Sequence, residues 1–309
     1  MDVPKVCQFL AHCEAHDVPS ALVTVCEVEG SSMRGPGSIM GVAQDGSIAG
    51  SLSGGCIEKA VITEALEALG KGASRVVRFG VGSPYLDIKL PCGGGLDLHF
   101  APLGKGGFAK ACSAACDQRQ PFAIAVGPDG ARFLSEWREP QFDPQAQTAI
   151  FGHWPQPLLQ IIGHGAGVGA LAQQSATFGC AVRVLTSDEN MANDLSAQGF
   201  SATHLARANQ IEALASDPWT ANIFLFHDHD WEIALMEHAL EQPHFYLGAM
   251  GGRKAHTMRS QTLGARGVSN EKLETIHAPI GLFHSSRDPY TLALSTLAEV
   301  IRSYETQFG

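Results

Sequence analysis

The chain has 309 residues and a formal net charge of -10, with 21 Lys plus Arg against 31 Asp plus Glu and no basic run, so nucleic acid and anionic membrane surfaces are not its expected partners. Hydrophobic residues make up 45% and charged residues 17%, the balance of a globular chain long enough for two cores. No stretch is apolar enough to span a bilayer, and Lys5, His12, Glu14 and Asp17 interrupt an N-terminus that does not read as a signal peptide.

Taken in order, Val6, Phe9 and Leu10 repeat at helical spacing, and ALVTVCEV (21–28) reads as a strand. GSSMRGPG is loop by composition. SIMGVA and SIAGSL flank Asp45-Gly46, a hairpin signal. GSLSGGC then leads into IEKAVITEALEAL, an amphipathic helix that Gly70 should end. LDLHF (96–100) alternates as a half-buried strand, and a helix near 108–116 precedes AIAV and ARFLSE, joined at Asp129-Gly130. Residues 141–157 are rich in Pro and Gln and read as a linker. Beyond it LLQIIG, AVRVLTS, NIFLF and HFYLGAM alternate with helical stretches. The expectation is an α/β chain: a mixed α+β domain over 1–140, then a Rossmann-like, doubly wound parallel-sheet domain over 158–309.

Several motifs carry chemistry. Gly163, Gly165 and Gly167 form a strand-to-helix turn whose amides can approach an anion. Counted from Gly165, the spacing is a GxGxxA variant ending at Ala170, but the acidic residue that would hold a ribose is replaced by Thr186, with Asp188 slightly late. A Rossmann scaffold for something other than NAD is an equal reading. The third parallel strand ends in His227-Asp228-His229-Asp230, where open α/β sheets bind ligands. These residues could ligate a metal or cap a helix, and without a third partner no metal site is assigned. Gly248, Gly251 and Gly252 followed by Arg253 and Lys254 suit a phosphate or similar anion, or an ordinary helix start.

Eight cysteines give no CxxC pair, and without an export signal they are expected to be reduced thiols. Cys7, Cys13, Cys26 and Cys180 read as core residues, and Cys112 and Cys116 as one packed helix face. Cys56 and Cys92 differ. Gly54 and Gly55 precede Cys56 at a helix start, which favours thiolate; Gly93, Gly94 and Gly95 follow Cys92. Glycines on that scale let something bulky approach each sulfur. No catalytic residue is assigned.

The segments EGSSMRGPGSIM, DGSIAGSLSGGCIEKAV, LPCGGGLDLHF, HDHD, YLGAMGGRKAHTMR and APIGLFHSSRDPYTLALSTLAEVI together resemble the XdhC/CoxI family, maturation factors for xanthine dehydrogenase and related molybdenum hydroxylases. The resemblance implies a cytoplasmic accessory protein that binds the molybdenum cofactor, protects it while a cysteine desulfurase helps install a sulfido ligand, and delivers it to a xanthine dehydrogenase-type apo-enzyme. It also suggests a homodimer. Cys56 and Cys92 take the family's cysteine positions, Gly54, Gly55, Gly93 and Gly94 their glycines, and Ser31, Ser32 and Arg34 the loop before the hairpin. Gly163, Gly165, Gly167, His227, Asp228, Gly248, Gly251 and Arg253 would complete the cofactor contacts. Val168, Thr186 and His284-Ser285-Ser286 depart from the family pattern, which weakens the case for NAD(P). The rival readings are an NAD(P)-dependent oxidoreductase, a thiol enzyme using Cys56, and a scaffold that holds no cofactor.

Overall fold

A computed structural model of the chain describes residues 2–52, 57–83, 94–226, 229–283 and 288–309, and counts below refer to these. Two units separate by their contacts, Met1–Pro155 and Gln156–Gly309.

The first unit runs α1 (Val3–Ala15), β1 (Ser20–Glu29), β2 (Ile39–Ala43), β3 (Ile48–Ala49), α2 (Glu58–Lys71), β4 (Arg75–Gly80), β5 (Gly95–Leu103), α3 (Phe108–Asp117), β6 (Phe122–Gly127), β7 (Gly130–Leu134), β8 (Gln141–Asp143) and β9 (Thr148–His153). Five strands form one antiparallel sheet in the order β3-β2-β1-β5-β4, and four more pair as β7-β6-β9-β8. Alternation along β1 divides the core. Ala21, Val23 and Val25 pack with Val61, Ala65 and Ala68 of α2, whereas Leu22 and Cys26 join α1, α3 and the second sheet. A bulge at Cys26 shifts the pairing of β1 with β5 between Val25 and Glu27. It changes the phase, so that Val28 returns to the α2 face.

Two boundaries differ from the sequence expectation. Gly70 lies inside α2, which continues to a left-handed cap at Gly72 with φ 63°. Residues 141–157 are not a free linker: β8 and β9 occupy most of them, joined by a turn in which Asp143 Oδ1 accepts from Gln145 and Ala146 nitrogens. Ala149, Phe151 and His153 point inward along β9, an alternation masked by the surrounding Pro and Gln.

The second unit runs β10 (Leu158–Gly163), α4 (Ala166–Phe178), β11 (Ala181–Thr186), α5 (Glu189–Ala197), β12 (Ser201–His204), β13 (Thr220–Leu225), α6 (Ile233–Glu241), β14 (Tyr246–Ala249), α7 (Arg253–Ala265), α8 (Asn270–Glu274), β15 (Ile276–His277) and α9 (Pro289–Phe308). All its paired strands are parallel, in the order β12-β11-β10-β13-β14-β15. Numbered within the unit this is 3-2-1-4-5-6, the dinucleotide-fold order, and its reversal point lies between β10 and β13. The expected doubly wound sheet is the one observed.

Candidate functional site

In the first unit the described part of the site is where β1, β4 and β5 end together. Ser53 to Cys56 and Pro84 to Gly93 lie outside the described residues, so Gly54, Gly55, Cys56, Cys92 and Gly93 do too. Their flanks are well anchored: Leu52 and Ile57, either side of the first segment, are both buried in the α2 layer. Gly94 closes the second. A side-chain carbon there would sit 2.3 Å from the Glu29 carbonyl and 3.4 Å from that of Ser31. Only a residue without one lets the backbone at position 94 lie this close to the end of β1 and the loop that follows it. The structure thus brings Gly94 beside the Ser31 backbone. Arg34 is not a free cation, because it pairs with Asp2 near the start of α1, and its backbone nitrogen donates to Ser32 Oγ at 3.3 Å.

The other thiols fit the inert reading. Cys7, Cys13, Cys26, Cys112 and Cys180 are buried, and Cys116 is half-buried. Burial pushes the Cys26 and Cys180 thiols up to about 12 each, and hydrogen bonding with Cys112 raises that of Cys7. Burial and these raised values disfavour thiolate chemistry at neutral pH for Cys7, Cys26 and Cys180.

In the second unit the carboxyl ends of β10, β13 and β14 carry the remaining motifs. Gly163 answers a packing need, since a side-chain carbon would meet the Leu225 carbonyl of the neighbouring strand at 2.4 Å. Gly248 is similar, with Tyr246 Oη at 2.5 Å from that position. Gly165 has φ 91° at the N-cap of α4, and Gly167 faces only Leu292 of α9, at 3.8 Å. Space beside Gly165 and Gly252 is open, and neither α4 nor α7 has a side-chain cap, so their first amides are free for an anion. Gly251 turns at φ 121° just before α7. Arg253 and Lys254 are exposed there, with no ion pair among the described residues.

His227 and Asp228 lie outside the described residues; the chain resumes in a 3-10 turn over His229–Trp231. Sequence reading missed what fixes this loop. Glu232, directly after it, is fully buried and pairs with the equally buried Arg259 of α7, Nε to Oε1 at 2.8 Å. Arg259 Nη2 also donates to the Met250 carbonyl at 2.8 Å, tying the ends of β13 and β14 together. Only the pairing reveals this, because 27 residues separate the partners.

At the ribose position, Thr186 is buried and its hydroxyl accepts from the Asp188 nitrogen at 3.2 Å. The Asp188 carboxylate caps α5 by accepting from the Met191 nitrogen at 3.1 Å. The acidic group expected by the dinucleotide pattern is thus a helix cap. Among the described residues no group of His, Cys, Asp and Glu is arranged to hold a metal ion, and no helix is long and apolar enough to cross a membrane.

Fold and sequence together define a protein with a Rossmann-type second unit and an N-terminal unit whose sequence carries glycine-flanked cysteine segments. Residues 13–80 match the XdhC and CoxI family, and residues 159–300 match the XdhC Rossmann domain. The chain is 36% identical over 281 residues to the molybdenum cofactor insertion chaperone PaoD of Escherichia coli (strain K12), covering 91% of this chain and 82% of that protein. The chain belongs to the XdhC and CoxI family. It is also 25% identical over 301 residues to the uncharacterized protein YqeB of the same organism, covering 94% of this chain and 45% of that one. A Bacillus halodurans protein described as a xanthine dehydrogenase shares the fold, with a TM-score of 0.78 at 19% identity over 99% of this chain and 97% of that one.

Proposed function

We propose that the protein carries the molybdenum cofactor as cargo, shields it while a sulfido ligand is installed, and passes it to a xanthine dehydrogenase-type apo-enzyme in the cytoplasm. The observation that carries this reading is the extended identity with a protein described as a molybdenum cofactor insertion chaperone. In this reading Cys56 and Cys92 contact the cofactor, with Gly54, Gly55, Gly93 and Gly94 giving backbone access and Ser31 and Ser32 beside them. A cysteine desulfurase is the sulfur source and a homodimer the working form. In the second domain the candidate contacts are Gly165, Gly167, His227, Asp228, Gly251 and Arg253.

Three features support it. The start of α7, with amides and two exposed cations that have no side-chain cap or ion pair among the described residues, suits the phosphate of a pterin cofactor. The packing of Gly94 on Glu29 and Ser31 holds the exit of the Cys92 segment in place. Of the other described thiols, all but the half-buried Cys116 are buried, which favours Cys56 and Cys92 for sulfur exchange.

The test is to purify the full chain anaerobically from a host that makes molybdopterin, then assay molybdenum and the fluorescent oxidised pterin. Both should copurify, and Cys56→Ala or Cys92→Ala should lower both. Absence of metal and pterin from the wild type would falsify the carrier role; full occupancy in both variants would remove the cysteines from the contact. The strand order keeps a nicotinamide-dependent oxidoreductase as the alternative, and that reading requires NAD or NADP to raise the melting temperature.

A further inference from the structure

Residues 81–94 connect β4 to β5 and carry Cys92. The base of that connection is closed by a bond from the Val81 nitrogen to the Gly94 carbonyl at 3.0 Å. One side chain spans it. Arg78 Nε donates to the Val81 carbonyl at 2.8 Å, Nη1 to Asp97 Oδ2 at 2.7 Å, and Nη2 to the Glu29 carboxylate. These acceptors lie on β5, at the end of β1, and at the start of the connection itself.

The reach depends on two local features. Gly80, Gly95 and Glu29 pair across β4, β5 and β1, with Arg78 one pleat back on the same face. A side-chain carbon on Gly95 would stand 2.7 Å from Arg78 Nη2 and 3.0 Å from Cζ, so the guanidinium crosses β5 only because that position is glycine. The bulge at Cys26 sets the phase that puts Glu29 on this face and Val28 on the other.

We propose that Arg78 is the positioning residue for the β4–β5 connection and for the Gly30–Arg34 loop. Its guanidinium fixes the base of the connection that carries Cys92 and the point where the Gly30–Arg34 loop leaves β1. The functional meaning rests on the carrier reading above; the mechanical claim does not. Lysine cannot replace it, because one ammonium on a flexible stem cannot hold three acceptors in a planar fork.

The test follows labelling of each cysteine by iodoacetamide in the native full chain, read by peptide mass spectrometry, for wild type, Arg78→Lys and Glu29→Gln. Arg78→Lys keeps the charge and Glu29 is largely exposed, so both variants should stay folded. Labelling of Cys92 should rise about tenfold in Arg78→Lys, the factor that roughly 1.4 kcal/mol of lost restraint gives. Glu29→Gln, which cuts only the tie to β1, should raise it less, and buried Cys26, Cys112 and Cys180 should not change. An unaltered Cys92 rate in both variants, or a rise shared equally by the buried thiols, overturns the proposal. Molybdenum and pterin measured on the same samples separate the two claims. Selective labelling with no cofactor in any form keeps the role of Arg78 and sinks the carrier reading; cofactor retention with unaltered labelling does the reverse.

Discussion

Replacing Gly94 with alanine should weaken both the first unit and its hold on the cofactor. Gly94 does not need a positive φ, so alanine meets no backbone strain and gains about 0.4–1 kcal/mol from a less flexible unfolded chain. The methyl, however, would lie 2.3 Å from the Glu29 carbonyl, whereas carbon–oxygen contacts settle at about 3.3 Å or more. The two backbones must therefore part by about 1 Å. That carbonyl belongs to a strand paired with β5 on the same stretch and cannot turn aside. Overpacking of this kind costs about 1–3 kcal/mol, which leaves a net loss of about 1–2 kcal/mol. A displacement of about 1 Å in a binding frame should also cut retained molybdenum roughly tenfold or more. Urea unfolding followed by far-UV circular dichroism, with metal analysis on the same preparation, reads both effects. Gly70→Ala is the control: that glycine faces solvent within α2 with no neighbour near, so alanine should stabilise by about 0.5–1 kcal/mol. If Gly94→Ala is as stable as wild type and holds as much metal, the close backbone approach does not matter.

The acid limb of stability should depend on His153. Burial holds that imidazole down at about 4, below its unfolded value, so its contribution is complete above about pH 6.5 and fades as pH falls toward 4, by up to about 3 kcal/mol. His153→Leu should flatten urea midpoints between pH 7 and 4.5, and parallel curves for the two proteins would count against it. Arg259→Met should destabilise the second unit by about 3–5 kcal/mol because it removes one partner of a fully buried ion pair. Adding Glu232→Leu should recover most of that loss, and a double variant as weak as the single one would contradict the account. Arg253→Ala with Lys254→Ala should leave stability within about 0.5 kcal/mol while lowering pterin retained at physiological salt. Unchanged retention would place the phosphate elsewhere.

Much of the fold was legible because its signals are local. The Asp45-Gly46 hairpin, the period of α2 and the apolar strands of the second unit need only neighbouring residues to be read. The misread pieces depended on distant partners. Residues 141–157 read as linker by composition, yet β9 pairs with β6 some twenty-five residues upstream. Arg34 reads as a spare cation until Asp2 is found beside it. Gly163 and Gly248 look like ligand glycines in a motif, and only the packed sheet shows backbone and ring atoms occupying the space a side chain would need. Arg78 and Arg259 carried no signal at all, since their acceptors come from other elements.

The irregularity at Cys26 makes the pairing register of β1 matter more than the identity of that residue. Many side chains of similar size could fill its place, but pairing the strand without the bulge, every residue kept, would restore simple alternation beyond it. Glu29 would then turn its carboxylate into the oily layer beneath α2, Val28 would face water, and the arginine across the sheet would lose an anchor. Deleting Cys26 outright should accordingly leave Val28 and Glu29 on their present faces.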